Sequence, residues 1–167
     1  MPRPRKRPPV DQLVGAAALA GRWVERLLAA HDPPLTVAQY LALRSIDREK
    51  LTAAELARRA GVSGPAVSQL VATLEREGWI ARHAVAEDRR RQGLGLTEAG
   101  RALLRSASAE LGTRIGPLLT QLPDPEVAAL ERVLSLLESV LAGTPPPRRP
   151  HPPHRPRPPE GGPKRGR

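Results

Sequence analysis

Ser63, Gly64, Pro65, Ala66, Ser68, Gln69 and Thr73 bring hydroxyls, a carboxamide and small side chains into one short stretch. At helical spacing they lie on or near one outer face. Gln suits the edge of adenine, and hydroxyls take either a base or a phosphate. Free N–H groups around Ser63 would suit an anion. Further along come Arg82, His83, Asp88, Arg89, Arg90 and Arg91. Residues 58–91 hold seven arginines against four acids, a net charge of +3. A small polar helix face followed by clustered arginine is the chemistry of a DNA groove. The helix would enter the major groove by its N-terminal end, and the arginines would reach the minor groove or its phosphates. Asp88 beside DNA is unfavourable unless paired; orienting Arg90 would satisfy it and leave Arg89 or Arg91 to make contact. The plain alternatives are a two-helix packing unit without a partner and a solvated charged loop. The adjacency of the two features weighs against both.

Positioning these residues requires two helices joined by a tight turn, with a hairpin behind them. Ala57, Gly61, Val67 and Leu70 have helix-turn-helix spacing. The small Ala57 admits a close crossing, Gly61 suits the turn, and Val67 and Leu70 anchor the second helix. Thr52 and Glu55 fit a capping box that opens the first helix. Ser63 caps the second, expected to run to about residue 77 with Val67, Leu70, Val71 and Leu74 inward, before Gly78 ends it. Over residues 79–96 the helical period fails. Ile80 and Arg82, then Leu94 and Leu96, follow period two, which predicts a β-hairpin with a long charged loop at residues 87–91. Gly93 and Gly95 predict a weak, short second strand.

Helices flank this unit. Leu13, Ala17, Ala20, Val24, Leu27 and Leu28 form an apolar stripe ended by Pro33 and Pro34. A short helix over about residues 36–47 has Val37, Tyr40, Leu41 and Ile46 as its apolar contacts. Thr97 caps a fifth helix with the stripe Leu103, Leu104, Ala107, Leu111, Ile115, Leu118, Leu119 and Leu122, in which Gly116 and Pro117 predict a kink or interruption. Asp124 as cap and Pro125 at the first position open a sixth. There Val127, Leu130, Leu134, Leu137 and Leu141 repeat, with Val133, Leu136 and Val140 alongside. The fold class is therefore mainly α (α+β): a winged helix-turn-helix with long N- and C-terminal dimerisation helices. Such leucine stripes are too long for one small winged unit to bury. They predict a two-fold homodimer held by Leu13, Ala17, Leu118, Leu122, Val127, Leu130, Leu134, Leu137 and Leu141, with a larger intrachain bundle as the alternative. Two reading heads would then sit roughly 34–36 Å apart on a palindromic site.

The 167 residues leave room for one domain with tails. Residues 1–9 carry Arg3, Arg5, Lys6 and Arg7 and no acid, while residues 145–167 carry seven cations against Glu160. The stretch 10–144 is balanced at 16 of each sign, and 14 of the 20 prolines lie outside it. The expected organisation is a disordered basic arm over 1–9, a folded unit over 10–144 and a disordered Pro/Arg tail over 145–167. Within the folded unit the reading head spans about 36–97 and the dimerisation helices about 10–31 and 97–142. With no Cys there is no disulfide, thiolate nucleophile or cysteine redox switch, and a Cys/His zinc site is impossible. No apolar run reaches membrane-spanning length. Basic residues before Leu13 superficially resemble a leader, but Asp11 and Gln12 interrupt it and the run continues as an amphipathic helix. With Trp23, Tyr40 and Trp79 as the aromatics, a base-stacking surface has little to be built from. His31 and His83 lack a carboxylate–nucleophile arrangement, and there is no P-loop or His-Glu-x-x-His motif, so an enzyme is not expected. No metal or cofactor is implied.

The segments Leu51-Thr52-Ala53-Ala54-Glu55-Leu56-Ala57, residues 62–78, the wing triplet Asp88-Arg89-Arg90, and Leu96-Thr97-Glu98-Ala99-Gly100 occur in an order and spacing that resemble the MarR family of winged helix-turn-helix transcriptional regulators. The resemblance covers about residues 10–142. It implies an obligate homodimer with interlocking terminal helices, a fourth helix in the major groove, a wing in the minor groove, and regulation of transcription, most often repression, in a bacterial cytoplasm. Many relatives release DNA on binding a small phenolic or aromatic acid between the dimerisation helices and the reading head. Here Trp23, Tyr40, Arg22 and Arg44 are the candidate effector contacts, although the scarcity of aromatics makes such a pocket thin. The Pro/Arg tail departs from the family pattern. The contrasting reading is a low-specificity, nucleoid-type DNA binder driven by the basic tails.

Overall fold

The computed structural model describes residues 10–49, 51–60, 63–85 and 88–143, the side chains of 85, 88–91 and 141–143 excepted. The arm over 1–9, Gly61 and the tail from 144 onward, each assigned a part above, lie outside the described residues. Six helices and a three-stranded sheet follow in the order α1 (Val10–Ala30), α2 (Val37–Arg48), β1 (Leu51–Thr52), α3 (Ala53–Ala60), α4 (Gly64–Arg76), β2 (Ile80–Val85), β3 (Asp88–Leu96), α5 (Glu98–Leu119) and α6 (Asp124–Gly143). The mainly helical winged architecture agrees with the expectation from periodicity.

The helix starts have readable causes. Thr36 and Gln39 form a reciprocal capping box on α2. The Thr52 hydroxyl accepts from the Glu55 amide while the Glu55 carboxylate accepts from the Thr52 amide, so the expected box opens α3. Thr52 also belongs to β1, a two-residue strand that periodicity could not disclose. Ser63 caps α4, accepting from the Ala66 amide, and Gly78 ends that segment with φ 72°, a conformation that favours glycine. The opening of α6 is shifted by one residue. The Pro123 carbonyl, not the Asp124 side chain, takes the cap position by accepting from the Glu126 and Val127 amides.

Three further expectations are corrected. First, the second strand of the hairpin is not short: β3 has nine residues, although the register shifts between Ala84↔Gln92 and Val85↔Asp88, so that Arg89, Arg90 and Arg91 form an irregularity in the ladder. β3 is central, in the order β1-β3-β2, so it is held on both edges. Its glycines also leave space that the His83 ring occupies: a Cβ at Gly93 would lie 2.7 Å from His83 Nε2, and one at Gly95 3.3 Å from Nδ1. Second, of the kink or interruption expected at Gly116 and Pro117, the interruption is absent: α5 runs on through both and ends at Leu119. Proline there removes one amide within a turn of the helix end, which is too little to break it. Third, Leu41 is 48% exposed; Ala42, Leu43 and Ile46 form the buried face of α2, with Val37 and Tyr40 partly buried against them.

The core lies within the reading head. Leu43, Ile46, Leu51, Leu56, Val67, Val71, Leu74, Ile80, Leu94 and Leu96 are buried together, closed by Leu28 at the end of α1 and by Leu103, Leu104, Ala107 and Leu111 along the first half of α5. His31 is buried at the α1–α5 junction, with Nδ1 donating to the Pro33 carbonyl at 2.9 Å and Nε2 3.0 Å from the Ser106 hydroxyl. The joint between wing and α5 is tight. The Thr97 amide donates to the Trp79 carbonyl, the Thr97 hydroxyl donates to the Gly78 carbonyl and accepts from the Gly100 amide, and a Cβ at Gly100 would lie 1.9 Å from the Trp79 oxygen.

Candidate nucleic-acid interface

The exposed face of α4 follows from what its other face must do. Val67, Val71 and Leu74 are buried and Leu70 is half-buried, which turns the intervening positions outward. Ser63, Gly64, Pro65, Ala66, Ser68 and Gln69 are exposed and Thr73 is half-buried. The first two turns and their cap thus present hydroxyls and a carboxamide to solvent, with proline in the first turn where no donor is missed. Ala57 is half-buried where α3 and α4 cross.

The basic residues divide into two sets. On α3, Arg59 forks onto both Glu49 oxygens, and that hydrogen bonding holds the Glu49 carboxyl below the ordinary carboxylate range and raises the guanidinium. On β2, Arg82 forks onto Glu75 of α4, with Nε 2.7 Å from Oε1 and Nη2 3.2 Å from Oε2, which raises its guanidinium above an already high value. Arg76 lies 3.5 Å from Glu77. His83 is exposed on the wing, its ring across the glycines of β3. Asp88, Arg89, Arg90 and Arg91 begin β3 at the far end of the hairpin, and their side chains lie outside the described residues.

A groove of about 440 Å³ opens between α2 and α5, lined by Tyr40, Arg44, Asp47, Arg48, Arg101, Leu104, Arg105 and Ser108. Tyr40 and Arg44, two of the four candidate effector contacts, lie side by side there, with the Tyr40 hydroxyl 3.2 Å from that of Ser108. Trp23 and Arg22 are exposed on α1 and do not line it. The residues that sequence reasoning missed are Arg48, Arg101, Arg105 and Ser108. Their helical spacing puts each set on one face, but nothing local says that the two faces meet. Acids hem the arginines: Arg44 is 4.0 Å from Glu138, and Arg101 and Arg105 are 3.8 and 3.6 Å from Glu98.

The interface expected of the terminal helices is exposed in the single chain. Leu13, Leu118, Leu122 and Leu134 are each at least 40% exposed, and Ala17 is exposed as well. Val127, Leu130 and Leu137 are partly covered, and the Leu141 side chain lies outside the described residues. No helix among the described residues is long and apolar enough to cross a membrane, and no cluster of potential metal ligands occurs among them.

The sequence pattern of the MarR family matches residues 34–91, from the approach to α2 into the wing. The HTH-type transcriptional repressor Rv2887 of Mycobacterium tuberculosis is 33% identical over 106 residues, which cover 63% of this chain and 76% of that protein. The chain belongs to the MarR family. It is a winged helix-turn-helix transcriptional regulator, not an enzyme. Solved structures of the family share this winged architecture. The M. tuberculosis protein in complex with p-aminosalicylic acid superposes with a TM-score of 0.62 at 29% identity, covering 78% of this MarR-family chain and 98% of that one. Wild-type MarR from E. coli in its apo form superposes at 0.63 with 26% identity, covering 79% and 98%.

Proposed function

We propose that the protein binds double-stranded DNA as a homodimer, represses transcription from a pseudo-palindromic operator, and is released by a small aromatic or phenolic acid. The observation that carries the reading is the polar N-terminal face of α4, exposed beside a basic wing on a rigid core. Ser63, Gly64, Pro65, Ala66, Ser68, Gln69 and Thr73 would read the major groove, with Gln69 and Ser68 at base edges. His83, Arg89, Arg90 and Arg91 would engage the minor groove or its phosphates, with Asp88 orienting Arg90. The leucine stripes of α1, α5 and α6 would pair with those of a second copy, which removes a large apolar surface from water.

The release step draws on the M. tuberculosis relative, solved with p-aminosalicylic acid and with salicylic acid. In this chain the α2–α5 groove offers Tyr40 to a ring and Arg44 or Arg48 to a carboxylate. Trp23 and Arg22 would join such a site only from the exposed face of α1, against a second copy. The basic segments 1–9 and 145–167 are proposed to flank the folded unit and add phosphate contacts, each raising the salt slope by about 0.9.

Fluorescence-anisotropy titration of the full chain tests this at physiological salt. The probes are the duplex immediately upstream of its own gene and a shuffled duplex of equal composition. The expected preference is about 10³ or more, with displacement on adding salicylic acid. Equal affinity for both duplexes would instead favour a low-specificity binder driven by the basic tails, a reading supported by the concentration of charge at both ends of the chain.

A further inference from the structure

Arg82 stands on the wing with the residues expected to touch DNA, yet both oxygens of the Glu75 carboxylate are taken up by its guanidinium. We propose that Arg82 is a positioning residue: it clasps Glu75, and the pair sets the place of the wing relative to α4 so that both reach DNA together. The proposal rests on the DNA-binding reading above.

The geometry supports a brace. Glu75 is the penultimate residue of α4, next to the buried Leu74. Arg82 is the third residue of β2 and pairs across the sheet with the buried Leu94. The chain between them turns sharply, with Gly78 at φ 72° and the Trp79 amide donating to the Leu74 carbonyl. That turn and the burial of Ile80, Leu94 and Leu96 seat the root of the hairpin against the core. The forked ion pair adds a side-chain tie on the exposed side of the hairpin, where it limits bending of the wing relative to α4. A planar guanidinium on both oxygens of a carboxylate also fixes orientation, which a single point charge does not. The pair neutralises an acid on the helix that must approach phosphates. Both side chains are partly exposed, 43% for Arg82 and 29% for Glu75, so the contribution to stability is small. Its effect is therefore read in DNA affinity.

Glu75→Gln separates the two roles for Arg82 because they predict opposite signs. If Arg82 contacts phosphate, removing Glu75 frees a cation and deletes an acid, and binding is unchanged or tighter. If Arg82 is a brace, binding weakens. The full chain is titrated with a duplex that the wild-type protein has enriched from a random-sequence pool. E75Q is expected to bind about tenfold more weakly, equivalent to about 1.4 kcal/mol, with its thermal midpoint unchanged. R82Q is expected to match it, and the double variant to be no weaker than either single one. E75Q binding as tightly as wild type or tighter, or losses that add in the double variant, would overturn the proposal. Hydrogen exchange supplies a readout without DNA. E75Q should speed exchange across β2 and β3 while α2 and α5 stay unchanged. If wild type enriches no duplex, the DNA-binding reading fails by itself; unaltered exchange in the hairpin of E75Q then overturns the brace as well.

Discussion

The reading head and the terminal helices are built from the same apolar residue types, but they complete themselves differently. In the head, leucine and valine from α2, α3, α4 and the sheet meet one another: Leu43, Val71 and Leu74 are wholly buried. Along α6 and the outer ends of α1 and α5, beyond the stretches that close the core at Leu28 and over residues 103–111, the same period finds no full burial within the chain. Among residues with described side chains α6 has none buried, and Leu136 is 67% exposed. An amphipathic stripe specifies that a face must be covered and says nothing of what covers it. One region is thus stable on its own packing, and the other depends on a second copy.

The largest expected effect breaks the comparison on the open side. L134D with L137D should convert the dimer to monomer in sedimentation, and operator affinity should fall by about two orders of magnitude or more because the heads then bind one at a time. A persistent dimer would place the interface elsewhere. A smaller effect sharpens the contrast between the regions. L43A should cost about 2–5 kcal/mol in denaturant unfolding through the cavity it leaves. L136A in the L134D/L137D background should stay within about 0.5 kcal/mol. Equal losses would mean that the terminal helices are already packed within one chain.

Next in size is the wing. G93A should destabilise by about 1 kcal/mol, since the new methyl meets the His83 ring, an exposed side chain able to give way. H83A should relieve most of that cost, and a loss that persists in G93A/H83A would assign it to the strand backbone instead. The smallest effect concerns Glu49, whose carboxyl is held low by the Arg59 hydrogen bonds. A folded value below the unfolded one makes this pair's contribution complete at neutral pH and lost as pH falls through the acid range. In R59Q, the Glu49 titration followed by NMR should return to the ordinary carboxylate range, and the head's acid sensitivity should diminish slightly.

What the sequence discloses follows the range of the interaction. The caps at Thr52, Ser63 and Thr97, the stop at Gly78 and the buried face of α4 are settled within a few residues, so they can be read locally. The outward face of α4 was legible for the same reason, as the complement of Val67, Val71 and Leu74. The misreadings are non-local. Gly93 and Gly95 suggest a weak strand until the ring of His83 is seen to need their space. Two residues suffice for β1 because β3 supplies the partners Leu94 and Gly93. Arg82 counts as one more cation of the wing until Glu75, seven residues earlier, is found to hold it. The α2–α5 groove combines two faces, each visible in sequence, whose meeting is a matter of tertiary packing.

The missing side chain at Gly100 has a mechanical meaning. With the Trp79 oxygen seated where a methyl would be, the first turn of α5 and the root of the wing share one bearing surface with no play. The 22 residues of α5 then act as a lever arm about 33 Å long. Pivoting that arm by roughly 10° about its distal end carries its wing end through roughly 6 Å, more than the rise between successive base pairs along B-DNA. A small change of pitch near Leu118 would in this way be geared up into displacement at the wing, and an alanine at position 100 would loosen the gear.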